Sequence, residues 1–146
     1  MSIESDIRTA LLSMSAVTAL VGTGNSARIR PYKLDDRDDK TEEHVIIEVD
    51  NSEPQNDLTG KGGLTFADVN ISCRAMTPTA ANALALAVKR NGTSPGTGLA
   101  GYGGSGTSFD SWLDDEVSGQ TPWGDGSQRT WFTIEQSYRM CFTEAT

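Results

Sequence analysis

The chain has 146 residues, of which 12 are Lys or Arg, 20 are Asp or Glu and one is His, giving a net charge of -8. That length suits a single domain, expected over residues 1–146, with a core that needs no disulfide or metal staple. The acidic balance argues against general binding to nucleic-acid phosphates, and no stretch approaches the ~20 apolar residues of a membrane span.

Ile3, Ile7, Ala10, Leu11 and Met14 recur at helical spacing behind Ser2, with Glu4 and Asp6 where a helix dipole favours acids. Ser15 can cap a further short turn over 16–21, which Gly22 ends. The apolar run 10–22 follows Glu4, Asp6 and Arg8, not a basic leader, so a cytoplasmic origin is expected. Residues 28–34 (RIRPYKL) read as an edge strand because of Pro31.

Val45, Ile47 and Val49 give a short strand from His44, the sole histidine, which is expected at the surface or an edge. In 66–76, Ala67, Val69, Ile71, Cys73 and Ala75 point one way and Asp68, Asn70, Ser72 and Arg74 the other, so one face of the sheet is expected to be covered. Thr77-Pro78 then supplies a cap and a first-turn proline for a helix buried through Ala81, Leu84, Ala85 and Val88 and stopped by Lys89, Arg90, Asn91 and Gly92.

A glycine-rich stretch, 93–107, reads as a flexible loop that folding can spare. A strand over 108–117, a turn-rich connection over 118–127 and a long last strand follow. In that last strand Phe132, Ile134, Tyr138, Met140 and Phe142 share a face interrupted by Gln136. The order of elements predicts an α+β fold, a mostly antiparallel sheet with two helices packed on one face.

Gly96-Thr-Gly98-Leu-Ala-Gly101 spells G-x-G-x-x-G. A phosphate loop needs a strand before it and a helix after it, and here a helix precedes and Tyr-Gly-Gly-Ser-Gly follows, so no nucleotide is expected. A single histidine leaves no Ser-His-Asp triad and no two-histidine metal site. Cys73 and Cys141 are expected to be reduced. No catalytic residue, cofactor or metal is assigned.

The negative charge is concentrated. Residues 35–43 (DDRDDKTEE) hold six acids and two bases, 109–116 (FDSWLDDE) hold four acids and no base, and the ten acids left elsewhere are matched by ten bases. Two solvated loops are one reading, and a deliberately negative surface is the other.

Two stretches together resemble a known family. AVTALVGTGNSARIRPY (16–32) runs a helix through T-A-L-V-G into a short R-I-x-P strand, and FADVNISCRAMTPTAANALALAVKRNG (66–92) ends an alternating strand at a Thr-Pro cap before an alanine-rich helix. In this order they are similar to the tail terminator, or tail completion, proteins of long-tailed bacteriophages. The resemblance implies a non-enzymatic virion subunit, assembled in the host cytoplasm. It would form a ring, typically a hexamer, that caps the tail tube and joins it to the neck. Its partners would be other copies of itself, the tail tube protein and a neck or head-closure protein, with no membrane and no sequence-specific DNA contact.

A ring around passing DNA should present carboxylates to its channel, since bases would grip the phosphates. Asp35, Asp36, Asp38 and Asp39 in one segment, and Asp110, Asp114 and Asp115 in the other, are the candidate channel-lining acids. Another neck or tail component, such as a head-closure or tube protein, is the alternative within this class. A small enzyme or ligand-binding module under the glycine-rich loop is the alternative outside it.

Overall fold

Five strands form one sheet in the order β1-β2-β3-β5-β4. They are β1 (Ile29–Pro31), β2 (His44–Gln55), β3 (Leu64–Ala75), β4 (Phe109–Pro122) and β5 (Thr130–Thr143), with helices α1 (Ile3–Leu12), α2 (Ser15–Val21) and α3 (Pro78–Arg90). The computed structural model describes residues 3–35, 37–55, 64–91, 98–103, 109–124 and 126–143. Only the β1 and β2 pair is parallel, so the α+β, mostly antiparallel architecture is the one the element order implies.

The helices share one side of the sheet. Ile7 and Leu11 of α1, Val17 and Val21 of α2, and Leu84 and Val88 of α3 form one buried cluster with Val45, Ile47, Val69, Ile71, Ile134 and Met140. The alternation in β3 holds, since Ala67, Val69, Ile71, Cys73 and Ala75 all point into this core. Burial pushes the Cys73 thiol up, which keeps it protonated and unreactive.

Local chemistry sets the helix ends. The Thr77 hydroxyl accepts the Ala80 N–H at 3.2 Å, and Pro78 occupies the first turn. Asn91 closes α3 in the left-handed conformation, its N–H on the Ala87 carbonyl at 2.7 Å. Its side chain then accepts the Ala16 N–H at 3.2 Å, so the residue that ends α3 also caps the start of α2. Ser15 therefore does not act as the cap: the capping position falls on Met14, which makes no side-chain bond. Ser2 lies outside the described residues.

Three further expectations need correction. The turn-rich reading of 118–127 gives way to strand as far as Pro122, with the hairpin closed by the Trp123 N–H on the Arg129 carbonyl at 3.0 Å. Pro122 is tolerated because β4 is an edge strand, where a missing donor leaves no partner unbonded.

The glycine-rich stretch is packed where it is described. Leu99 is fully buried, and its N–H and that of Ala100 bond to the Val88 and Lys89 carbonyls at 2.8 and 3.2 Å. A Cβ at Gly98 would collide with the backbone of Lys89 and Arg90. Residues 98–101 thus seal the carbonyl end of α3, the negative end of the helix dipole, which repels a phosphate. The remainder of the stretch lies outside the described residues.

Lastly, His44 is neither exposed nor on an edge. It sits on β2 between β1 and β3 and is fully buried.

Candidate assembly surfaces

His44 is buried because something crosses the non-helical face of the sheet. Ile29, Val45 and Cys73 face the helices, so their neighbours Arg30, His44, Ile46 and Arg74 project on the other side. Residues 37–43 of the acidic segment lie over them. The Asp38 carboxylate takes two bonds from Arg30 on β1, at 2.9 and 3.1 Å, and the Lys40 carbonyl accepts Trp131 Nε1 from β5 at 2.7 Å. Since β2 and β3 lie between those strands, the segment is a strap across this end of the face.

Beneath the strap, His44, Ile46, Ser72, Trp131 and Thr133 are buried outside the main core. The expectation that one face is covered holds, and at the strap end the second face is covered as well. The alternation that gives Phe132 and Ile134 one face leaves Trp131 and Thr133 on the other, but it carries no information about a segment arriving from elsewhere in the chain.

The ring of Trp131 organises this end. His44 meets it edge-on at 4.8 Å, Trp123 stacks at 5.8 Å, and the Arg74 guanidinium lies over it at 5.1 Å. His44 Nδ1 lies 3.2 Å from the Glu42 carbonyl, which can only accept, so Nδ1 carries the proton. Burial, opposed by that bond and reinforced by Arg74, lowers the imidazole pKa to about 4.

The acids of the first segment are largely committed within it. Asp35 takes bonds from Arg37, chiefly from its side chain, which hold its carboxyl below the usual range. Asp39 accepts the Thr41 N–H at 2.9 Å and its hydroxyl at 2.7 Å, with the same effect. Glu42 lies 3.7 Å from Arg28. Asp36 lies outside the described residues.

The second segment is β4, the opposite edge of the sheet from β1. All seven residues from Asp114 to Gln120 are exposed. Asp110 and Asp115 pair in register with Cys141 and Ser137 and so lie on the non-helical face, while Asp114 falls at a bulge between Leu113 and Asp115. Glu116 turns to the helices instead. It accepts from Gln136 at 2.8 Å and pairs with Lys89 at 3.3 Å. Gln136 also donates to the Ala85 carbonyl at 2.9 Å and accepts from the Tyr138 hydroxyl at 2.7 Å, which accounts for an amide in an otherwise apolar stripe.

Both acidic segments therefore border one face, one as a strap and the other along an edge. Three arginines on that face are engaged: Arg30 with Asp38, Arg139 with Asp68 at 3.0 Å, and Arg74 with the Trp131 ring and the Ser72 hydroxyl. Among the described residues no group of three or more His, Cys, Asp or Glu side chains could hold a metal, and no helix is long and apolar enough to cross a membrane.

No family model and no curated protein matches the sequence. Among solved structures, a chain of the virion of a native gene transfer agent particle is similar with a TM-score of 0.60 and 14% identity. The likeness covers 98% of this chain and 96% of that one, so the two share a fold over nearly their whole lengths.

Proposed function

We propose that this chain is a structural subunit of a phage-like virion, without catalytic activity, and that within the virion it is the tail terminator. The observation that carries the virion assignment is the near end-to-end fold likeness to a chain of a gene transfer agent virion. The finer role rests on the resemblance of 16–32 and 66–92 to tail terminators and on the distribution of charge. In this reading the 146 residues act as one domain that closes into a ring on the tail tube and presents its non-helical face to the DNA.

That face suits the task. It carries Asp39 on the strap and Asp110 and Asp115 on β4, while Arg30, Arg74 and Arg139 are held by neighbouring groups. A surface of this kind offers a sliding phosphate backbone little to grip. Asp38 has a structural duty as well, as the anchor of the strap.

Electron microscopy of the purified chain mixed with tail tubes tests the assignment. Closed rings on tube ends support a terminator, whereas long tubes of this chain alone would identify a tube protein. A chain that joins neither would fail the reading.

A further inference from the structure

The two edges of the sheet are built differently, and each has what the other lacks. On β4, Trp112 and Val117 are 50% and 54% exposed on the non-helical side, alongside Asp115, with Asp114 in the bulge between them. Together Trp112 and Val117 set apolar surface on an open, otherwise acidic strand edge, where another chain can dock. The β1 edge is closed to strand pairing, because Pro31 has no N–H and Arg8 Nε occupies the Ile29 carbonyl at 2.9 Å.

What β1 offers is a strained turn between two clefts. The Lys33 N–H bonds to the Pro31 carbonyl at 2.7 Å across Tyr32, whose φ is +66°. A bond from i+2 to i across a positive-φ residue is the rare, strained γ-turn, and a bulky side chain there is an outlier. Tyr32 is nevertheless 54% exposed, so burial does not explain the strain. Backbone strain retained at an exposed position points to a task for that position. On its non-helical side the turn borders a cleft of about 410 Å³ lined by Arg30, Pro31, Lys33, Leu34 and Asp35. On the helical side, Glu4, Ser5 and Arg8 form a second cleft with Pro31 and Tyr32.

We propose that these edges are the two halves of one head-to-tail contact between copies of this chain, in which Trp112 of one copy seats in the cleft beside the Tyr32 turn of the next. The proposal rests on the ring reading above and specifies which surfaces close the ring. Charge selects this pairing. Residues 109–116 contain four acids and no base, while Lys33 is exposed beside the cleft and Asp35, the acid in its lining, is paired with Arg37. A β4 edge facing another β4 edge would oppose like charges, and two β1 edges are both closed to ladders. A contact joining opposite edges is heterologous, and such a contact closes into a ring when the rotation between successive copies closes. The indole in such a cleft would pack on Pro31 and Leu34 with the Lys33 ammonium available to its face.

Mixing two half-dead variants tests the contact. Trp112→Glu removes the inserting half, and Tyr32→Gly combined with Lys33→Glu removes the receiving half. Tyr32→Gly also relieves the positive φ, so this variant keeps or raises the melting temperature, which separates lost assembly from lost folding. Under conditions where the wild-type chain assembles, native mass spectrometry should find each variant monomeric alone. Their equimolar mixture should give a two-chain species and nothing larger, because one live contact remains. Rings from either variant alone, or a folded mixture with no two-chain species, would overturn the proposal and leave the ring reading standing. A wild-type chain that stays monomeric beside tail tubes would remove both.

Discussion

Trp131 Nε1 on β5 donates to the Lys40 carbonyl 2.7 Å away, fastening a segment that leaves β1 to a strand three positions across the sheet. This bond and the Arg30 pairing with Asp38 turn a charged loop into a lid over His44 and Ile46. Loss of either anchor should expose the same groups. Arg30→Ala, which leaves the 8% exposed Asp38 side chain without its cation, should cost about 1–3 kcal/mol in denaturant unfolding. It should also quicken amide exchange at Ile46 and Ser72.

The buried imidazole sets a pH dependence with a definite sign. With a folded pKa of about 4 and an ordinary value of 6.5, His44 is neutral in the native state while the unfolded chain takes up a proton. Its drag on stability is therefore absent above pH 6.5, grows as pH falls, and levels off below pH 4, reaching on the order of 3 kcal/mol. His44→Gln should flatten the stability profile between pH 4 and 6.5. Asp35 and Asp39, whose pKa values are lowered, act in a lower window: their contribution is lost as pH falls below their ordinary value of 3.8.

The glycine-rich stretch should prove indispensable at its centre. Leu99→Ala removes a fully buried side chain at the end of α3 and should cost about 2–5 kcal/mol. Gly98→Ala should also destabilise, because its Cβ meets the backbone of Lys89 and Arg90. Equilibrium urea unfolding of both variants checks this.

Ile71→Ala and Leu84→Ala, at the junction of β3 and α3, should each cost about 2–5 kcal/mol, and Asn70→Ala, half-buried on the other face, much less. Gln136→Ala should cost about 1–3 kcal/mol despite removing no apolar group, since the Ala85 carbonyl and the Tyr138 hydroxyl would lose their buried partner.

What the sequence disclosed is what neighbouring residues decide among themselves. Thr77, Pro78 and Asn91 end α3 within one turn, and the alternation of Val69, Ile71 and Cys73 follows from the pleat alone. The features that escaped depend on residues distant in the chain. Asn91 reads as a stop for its own helix, and nothing local says that it caps α2, 75 residues away. Leu99 lies among glycines that signal a loop, and its burial depends on the carbonyls of Val88 and Lys89. His44 heads a short apolar run, and its burial follows from Trp131 and a strap that composition marks as solvated. The acids were visible, but which of them anchor structure and which face outward depends on partners such as Arg30, Arg37 and Thr41.

Cryo-electron microscopy of the chain assembled on tail tubes tests the central claim most directly. The account predicts a closed ring on the tube end, with helices outward and with the strap and the β4 carboxylates Asp110 and Asp115 toward the axis. A chain that remains monomeric beside the tubes, or a ring whose non-helical face lies on the outer rim, would contradict it.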